Sequence, residues 1–169
     1  MTSILTRIAI PVFLATLLGC AQAEKQTSDA NTQLRAEKMV SDYYGTFASA
    51  QFEVDRLMDF YQPDVDFADP TFDIAVRGVD EVRKLYAVAG TGESNYRDLR
   101  WKIDTIVASG DNVAIHGLWS GRYQGKPFEV PFVTLWGLRD GRIAIQRDFF
   151  AAGLWDRQVD YRPAKAADR

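Results

Sequence analysis

The feature that most constrains the fold is a change in the spacing of apolar residues along the chain. In the first half they recur at helical spacing, as Val40, Tyr43, Tyr44 and Phe47 do at i, i+3, i+4 and i+7. In the second half they alternate with polar residues, as in the segment 99–104, which is typical of a half-exposed strand. Helices followed by a run of strands predict an α+β fold and exclude a doubly wound parallel sheet.

The helical half divides into three predicted helices. The first begins at Leu34. The second is short and ends before Pro63, which cannot continue a helix, and its apolar positions are Val54, Leu57, Met58 and Tyr61. A short strand at 65–67 and an Asp-Pro break at Asp69 lead to a third helix, which begins at Val79 and ends at the glycines of 90–92.

Turn sequences divide the second half into strands. They lie at 109–112, 124–125 and 139–141, between apolar segments long enough to form extended strands. Together with the strand that contains 99–104, these segments predict an antiparallel meander of four strands.

The strand from Phe128 to Trp136 is apolar on both faces. One face carries Phe128, Val130, Phe132, Thr134 and Trp136, and the other carries Glu129, Pro131, Val133 and Leu135. Helices can cover only one face of a single curved sheet, so something else must cover the other. The sequence therefore predicts either a homodimer or packing by the C-terminal segment around Leu154 and Trp155.

The N-terminus resembles a bacterial lipoprotein signal peptide. Residues 8–18 are almost wholly apolar, too few to span a bilayer, and they lead into Leu17, Leu18, Gly19 and Cys20, which is similar to a lipobox. We expect residues 1–19 to be removed and a lipid on Cys20 to anchor the protein to the membrane. An ordinary secretory signal with a chance cysteine is the alternative.

The segments next to this signal are polar. Residue 21 is not Asp, so the sorting signal favours the outer membrane, with the domain facing the periplasm. Residues 20–33 lack aromatic and branched apolar side chains and are interpreted as a flexible tether. The folded domain is expected at 34–158, with a polar tail at 159–169.

Composition excludes several classes of function. The chain has 20 Lys and Arg against 23 Asp and Glu, a net charge of -3, so no basic surface for nucleic acid is expected. A single Cys and a single His exclude an internal disulfide, a cysteine metal site and a histidine-rich metal cage. We predict no metal and no cofactor.

Four segments carry a resemblance to a known superfamily: 42–47, 67–70, 77–80 and 140–150. In this order they resemble nuclear transport factor 2-like proteins, above all the SnoaL-like branch, over about residues 34–158. The resemblance implies a cone, in which a strongly curved, mostly antiparallel sheet wraps around three helices and a pocket. Members include ketosteroid isomerases, limonene-epoxide hydrolases, polyketide cyclases and proteins that only bind or scaffold, so the fold does not give the function.

The isomerase comparison identifies an incomplete site. Asp69 matches the general base, although an Asp-Pro sequence also makes a simple turn. Tyr43 loosely matches the tyrosine of the oxyanion hole, and Tyr44 could replace it. The second oxyanion donor falls at Val133, which donates nothing, so isomerase activity is not expected.

The last strand carries a second candidate. Asp148 matches an aspartate of the cyclases and hydrolases, but the Arg and second Asp of the hydrolases are absent from 116–120. His116 is expected to line the cone and to approach Asp148 as an acid/base pair. The alternatives are a salt bridge of Asp148 with an arginine and an ordinary core histidine.

Three functions remain open. The first is a module that binds a small apolar or aromatic molecule through pocket residues, predicted as Tyr44, Tyr61, Phe67, Leu118 and Val133. The second is an acid/base enzyme with candidate catalytic residues, namely Tyr43, Asp69, His116 and Asp148. The third is a dimeric scaffold. Buried carboxylates beside a void would favour the enzyme, and a pocket filled by aromatic side chains would favour the scaffold.

Overall fold

The structure, a computed structural model, describes residues 13–48, 52–90 and 95–160. It contains four α-helices, one 3₁₀ turn and six strands within these ranges. In chain order they are α1 (Phe13–Gly45), the 3₁₀ turn (Thr46–Ala48), α2 (Val54–Met58), β1 (Tyr61–Asp69), β2 (Ile74–Arg77), α3 (Val79–Gly90), β3 (Tyr96–Ser109), β4 (Asn112–Tyr123), β5 (Lys126–Arg139), β6 (Arg142–Phe150) and α4 (Ala152–Val159).

The strands form one mixed, mostly antiparallel sheet in the order β2-β1-β6-β5-β4-β3. Strands β3 to β6 make the predicted antiparallel meander, and β1 joins it by pairing parallel to β6. The curved, unclosed sheet and its helices confirm the predicted α+β cone.

Two details of the first half differ from the prediction. Tyr61, expected in the second helix, begins β1, and β2 was not predicted at all. Pro63 is tolerated inside β1 because it lies between Tyr61 and Asp66, where the pairing with β6 is irregular and no ladder needs its missing N–H.

Helix α1 is longer than predicted, since it includes the segment 20–33 that was interpreted as a tether. This segment contains several Ala and Gln residues, which favour helix even where no apolar face is present. The Gln33 side chain attaches α1 to the edge strand β3: its Nε2 donates to the carbonyl of Ile106 at 2.8 Å, and its Oε1 accepts from the amide of Ala108 at 3.0 Å.

The N-terminal predictions concern residues that are largely not described. Residues 1–12 of the predicted signal peptide and the environment of Cys20 lie outside the described residues, as do positions 161–169 of the tail. Within the described part of the chain, no helix is long and apolar enough to cross a membrane. The lipid anchor therefore stays a prediction.

The two faces of β5 differ in burial as the alternation predicts. The inward side chains of Phe128, Val130, Phe132 and Trp136 are at most 4% exposed, and those of β4 pack beside them. Four apolar side chains lie on the outer face of β5 and β6 and are 37–46% exposed: Val133, Leu135, Ile145 and Phe149.

Helix α4 does not cover this outer face. Its Trp155 packs against the rings of Phe72 and Tyr123, which belong to the inner side of the cone. The C-terminal segment around Trp155 thus helps to fill the core, and the four outer apolar residues remain accessible in the described chain.

The pairing of β3 with β4 is irregular at two places, and one of them lies beside Gly117. The pairing of β3 with β4 shifts register between Ile103 and Thr105, so β3 bulges opposite this glycine. A Cβ on Gly117 would lie 2.2 Å from the carbonyl oxygen of Lys102. The close approach of the two backbones, which bends the sheet around the helices, therefore requires a residue without a side chain.

Candidate functional site

A buried polar cluster lies on the inner face of the sheet, centred on Asp148. The pairing of β5 with β6 sets Thr134 opposite Asp148, and strand alternation places Gln146 on the same face. Thr134 Oγ1 donates to Asp148 Oδ1 at 2.7 Å, and Gln146 Nε2 donates to Asp148 Oδ2 at 2.8 Å. Each carboxylate oxygen thus has one neutral donor.

Tyrosines from three elements extend this cluster. Tyr61 donates from its hydroxyl to Gln146 Oε1 at 2.9 Å, and the hydroxyls of Tyr43 and Tyr61 are 2.7 Å apart. Because the Tyr61 proton is directed at Gln146, the Tyr43 hydroxyl is the donor to Tyr61. The Tyr86 hydroxyl lies 3.2 Å from that of Tyr43 and completes a chain of donors that ends, through Gln146, on Asp148.

A second donor chain reaches Asp148 from α1. The Tyr44 hydroxyl donates to Thr134 Oγ1 at 3.4 Å, and Thr134 donates in turn to the carboxylate. Two chains of neutral groups therefore converge on one acidic side chain.

Burial controls the charge of the cluster. Removal from water raises the pKa of Asp148 to about 7, an effect that the negative Asp69 increases and the hydrogen bonds of Thr134 and Gln146 oppose. Burial also raises the pKa values of Tyr43, Tyr44, Tyr61 and Tyr86 above that of free tyrosine, so these hydroxyls are neutral donors near pH 7. Asp148 is the one group of the cluster that can exchange a proton near neutral pH.

A small cavity of about 10 Å³ lies against Asp148. This is room for about one water molecule. Aromatic side chains make most of its wall, and the full lining is Tyr43, Tyr44, Phe47, Tyr86, Trp101, Thr134, Gln146, Asp148 and Phe150. The structure thus has both the feature expected of an enzyme, a buried carboxylate beside a void, and the feature expected of a scaffold, an interior largely filled by aromatic rings.

One polar atom in this wall is unsatisfied. The Nε1–H of Trp101 is buried, and no acceptor in the described part of the chain lies within hydrogen-bond distance. The same holds for Trp119, Trp136 and Trp155, but of the four only Trp101 lines the cavity. A buried donor without an acceptor is uncommon and costly in folded proteins.

Asp69 is buried, but it does not line this cavity. Its Oδ1 accepts from the backbone amide of Thr71 at 3.0 Å, and its carbonyl oxygen accepts from the amide of Phe72 at 3.2 Å. This is the turn that an Asp-Pro sequence favours. Burial raises the pKa of the Asp69 carboxyl, and its charge acts on Asp148 from a distance.

Three predicted pocket residues lie on the wrong side of the sheet. His116, Leu118 and Val133 belong to the outer face, and His116 pairs directly with Val133. The prediction of the inner face of β4 was wrong by one residue, because Ile115 and Trp119 take the inward positions. His116 therefore cannot form the proposed acid/base pair with Asp148.

A salt bridge of Asp148 with an arginine, the alternative considered above, is also absent from the contacts of the described residues. The neighbouring Arg147 points to the other face, where its guanidinium binds the Asp66 carboxylate at 2.9 Å. Asp148 is thus a buried carboxyl held by neutral donors.

The other predicted ligand-binding residues lie inside the cone. Tyr43 and Tyr44 line the cavity, Tyr61 lies behind Gln146, and Phe67 is buried with its ring against that of Tyr86. These are positions in the structure and do not by themselves test a role in binding.

Sequence reasoning missed Tyr86, Thr134 and Gln146. Thr134 and Gln146 were detectable in principle, because each shares an inward face with its strand neighbours by simple alternation. Tyr86 stands four residues after Val82, at the helical spacing of an ordinary core residue, so its local sequence does not distinguish a role in the site. Among the described residues, no group of three His, Cys, Asp or Glu side chains could hold a metal ion.

The sequence profile of the SnoaL-like domain matches residues 40–146. No curated protein matches the sequence significantly. Several solved structures share the fold at low sequence identity.

Three of these structures show the range. A protein from Jannaschia sp. named as a SnoaL-like polyketide cyclase has a TM-score of 0.65 and 20% identity, over 78% of this chain and 96% of its own. A protein of ketosteroid isomerase-like fold from Catenulispora acidiphila, in complex with trimethylamine, has a TM-score of 0.63 and 20% identity, over 74% of this chain and 97% of its own. An LEH-like epoxide hydrolase of M. tuberculosis has a TM-score of 0.61 and 19% identity, over 75% of this chain and 90% of its own.

These likenesses show the fold, and the profile match covers more than half of the sequence. The cone agrees with the profile match, and the chain belongs to the SnoaL-like domain family.

Proposed function

We propose that this domain binds a small apolar or aromatic molecule inside the cone, with the Asp148 carboxyl holding the polar group of the ligand. The observation that carries the proposal is the position of Asp148: it is 7% exposed, it faces the cavity and neutral donors alone hold it. A buried ionisable group is costly for stability and is typical of functional sites.

The unsatisfied Nε1–H of Trp101 supports the same proposal. It belongs to the cavity wall and has no acceptor in the described chain. A ligand that carries an oxygen or nitrogen acceptor would satisfy it. The trimethylamine complex of the Catenulispora protein shows that one protein of this fold binds a small organic molecule.

Binding requires side chains to move, because the cavity of about 10 Å³ is smaller than any such ligand. Phe47 is half-buried, lines the cavity and stacks on Phe52 with ring centroids 5.2 Å apart. Rotation of this ring would enlarge the cavity without disturbing the sheet.

The experiment uses a panel of small aromatic ketones and alcohols, with 1-indanone as the reference probe. Binding is followed by the NMR signal of the Trp101 indole N–H in the wild type and in Phe47→Ala. Phe47→Ala is expected to tighten binding about tenfold, since no ring must be displaced. Phe149→Ala, an aromatic deletion on the outer face, is the matched control and should change nothing. If no compound shifts the Trp101 signal in either protein, the proposal is wrong.

A second candidate function is acid/base catalysis on a carbonyl compound. The specific observation in its favour is the pKa of Asp148 at about 7, because a general acid or base works best when its pKa is near the working pH. The test is deuterium exchange at the carbon next to the carbonyl of 1-indanone. Catalysis predicts exchange that Asp148→Asn abolishes, whereas a binding domain gives the Trp101 shift without exchange.

We also propose that a lipid on Cys20 anchors the domain to the outer membrane, facing the periplasm. The lipobox-like sequence before Cys20 supports this location. In a Gram-negative host, metabolic labelling with an alkyne fatty acid is expected to label the wild type but not Cys20→Ser. Equal labelling of both would contradict the anchor.

A further inference from the structure

The cavity beside Asp148 has a wall of aromatic rings. Ring centroids are 5.4 Å apart for Tyr44 and Trp101, 5.8 Å for Phe47 and Tyr86, and 5.8 Å for Phe47 and Trp101. Tyr43 and Phe150 complete the wall. These rings touch one another and line the same small cavity as the Asp148 carboxyl, so a ligand that enters by displacing Phe47 would meet both the rings and the carboxyl.

No positive charge offsets this carboxyl among its described contacts. Its two hydrogen-bond donors, Thr134 and Gln146, are neutral. The charged group that acts on it is Asp69, which is also negative, and the adjacent Arg147 binds Asp66 on the other face. The site has an unbalanced negative charge whenever Asp148 ionises.

We infer that the ligand is an amine cation, most simply a methylated ammonium, which packs against the aromatic rings and pairs with the Asp148 carboxylate. The faces of Trp and Tyr rings attract cations, and this attraction is largest where water is excluded. A charge pair in the same low-dielectric interior is also stronger than in water. A neutral ligand would leave the carboxylate uncompensated.

This inference rests on the proposed function and names the class of ligand for the same site. It adds a direction for the pH dependence, because a cation binds to the ionised carboxylate. Binding should strengthen as the pH rises through the pKa of Asp148 and then level off. The other titratable groups around Asp148 are Asp69 and four tyrosines. Burial raises the pKa values of these tyrosines, so they do not ionise in this range: Tyr43, Tyr44, Tyr61 and Tyr86.

The test compares choline with 3,3-dimethylbutan-1-ol, which has the same shape but carbon in place of the charged nitrogen. Calorimetry at pH 8 is expected to give a Kd at least tenfold lower for choline. In Asp148→Asn this preference should disappear, while Asp140→Asn, a change in the remote β5–β6 turn, should keep it. Because the carboxyl is about 90% ionised at pH 8 and about 1% ionised at pH 5, lowering the pH should weaken choline binding by up to about a hundredfold and leave the alcohol unchanged.

Two outcomes would overturn the inference. Equal or tighter binding of the neutral alcohol would show that charge is not recognised, and the proposed binding function would stand. Failure of both probes to bind the wild type and Phe47→Ala would also reject an ammonium site. The binding function would then be judged by the aromatic ketones and alcohols, whose effect on the Trp101 signal is independent of choline.

Discussion

Thr134 and Asp148 lie opposite each other on β5 and β6, and the Thr134 hydroxyl donates to the Asp148 carboxylate at 2.7 Å. The two residues are only 14 positions apart in the sequence, because a tight turn joins their strands. The register of that hairpin therefore decides whether the buried acid that lines the cavity has this donor.

The Thr134 hydroxyl should lower the pKa of Asp148. Thr134→Val removes this donor with little change in shape, so the pKa of Asp148 should rise above about 7. A carbon-13 NMR titration of the carboxyl group measures it. Thr105→Val on the exposed side of β3 is the control and should leave the value unchanged. A lower pKa in Thr134→Val would contradict the assignment of the hydroxyl as donor.

Ionisation of Asp148 should destabilise the fold. Its folded pKa of about 7 lies above the ordinary 3.8, so the native state holds this proton more tightly than the unfolded chain. The contribution is fully present below about pH 4, is lost as the pH rises to 7, and amounts to about 4 kcal/mol.

Asp148→Asn cannot ionise and isolates this effect. Urea unfolding of both proteins at pH 4 and pH 8 measures it, because the variant should gain stability relative to the wild type by a few kcal/mol at the higher pH. A difference between the two proteins that stays constant with pH would show that Asp148 does not carry the raised pKa.

Gly117 should not tolerate a side chain. In Gly117→Ala the new Cβ would meet the Lys102 carbonyl oxygen at 2.2 Å and Phe132 Cε1 at 3.0 Å. Because the first contact is with backbone, relief requires the sheet to move, and we expect a loss of about 2–3 kcal/mol in urea unfolding. Gly45→Ala is the matched control, since no atom lies within 4 Å of its new Cβ. Equal stability of the two variants would mean that the bulge of β3 is not a rigid part of the cone.

The outer face of the sheet is where we predict a homodimer. Val133, Leu135, Ile145 and Phe149 lie on neighbouring strands and are 37–46% exposed. Two copies of one apolar surface can cover each other about a two-fold axis. Sedimentation of residues 34–169 should give a dimer for the wild type and a monomer for Leu135→Glu. A wild-type monomer at high protein concentration would contradict the prediction.

His116 shows where sequence reasoning about the site failed. Period-2 alternation correctly grouped it with Leu118 on one face of β4, but alternation alone does not say which face is inside. Burial of Ile115 and Trp119 in the core decides that, and the uninterrupted pairing of β4 with β5 then places His116 outside. A shift of one residue moved His116 from the proposed site to the outer face.

The sequence alone determined the α+β class, the four-strand meander and its turns, because these depend on local spacing and on turn residues such as Gly125 and Gly141, but it did not predict β2 or α4. It also identified Asp148 as a candidate, through resemblance to a known family. Only the tertiary structure decided that Gln146 donates to that carboxyl, that Tyr61 and Tyr86 bind Gln146 in turn, and that aromatic rings line the cavity beside it. Hydrogen bonds between residues as far apart as 85 positions depend on how the sheet curves around the helices, and no local pattern of residues encodes that curvature.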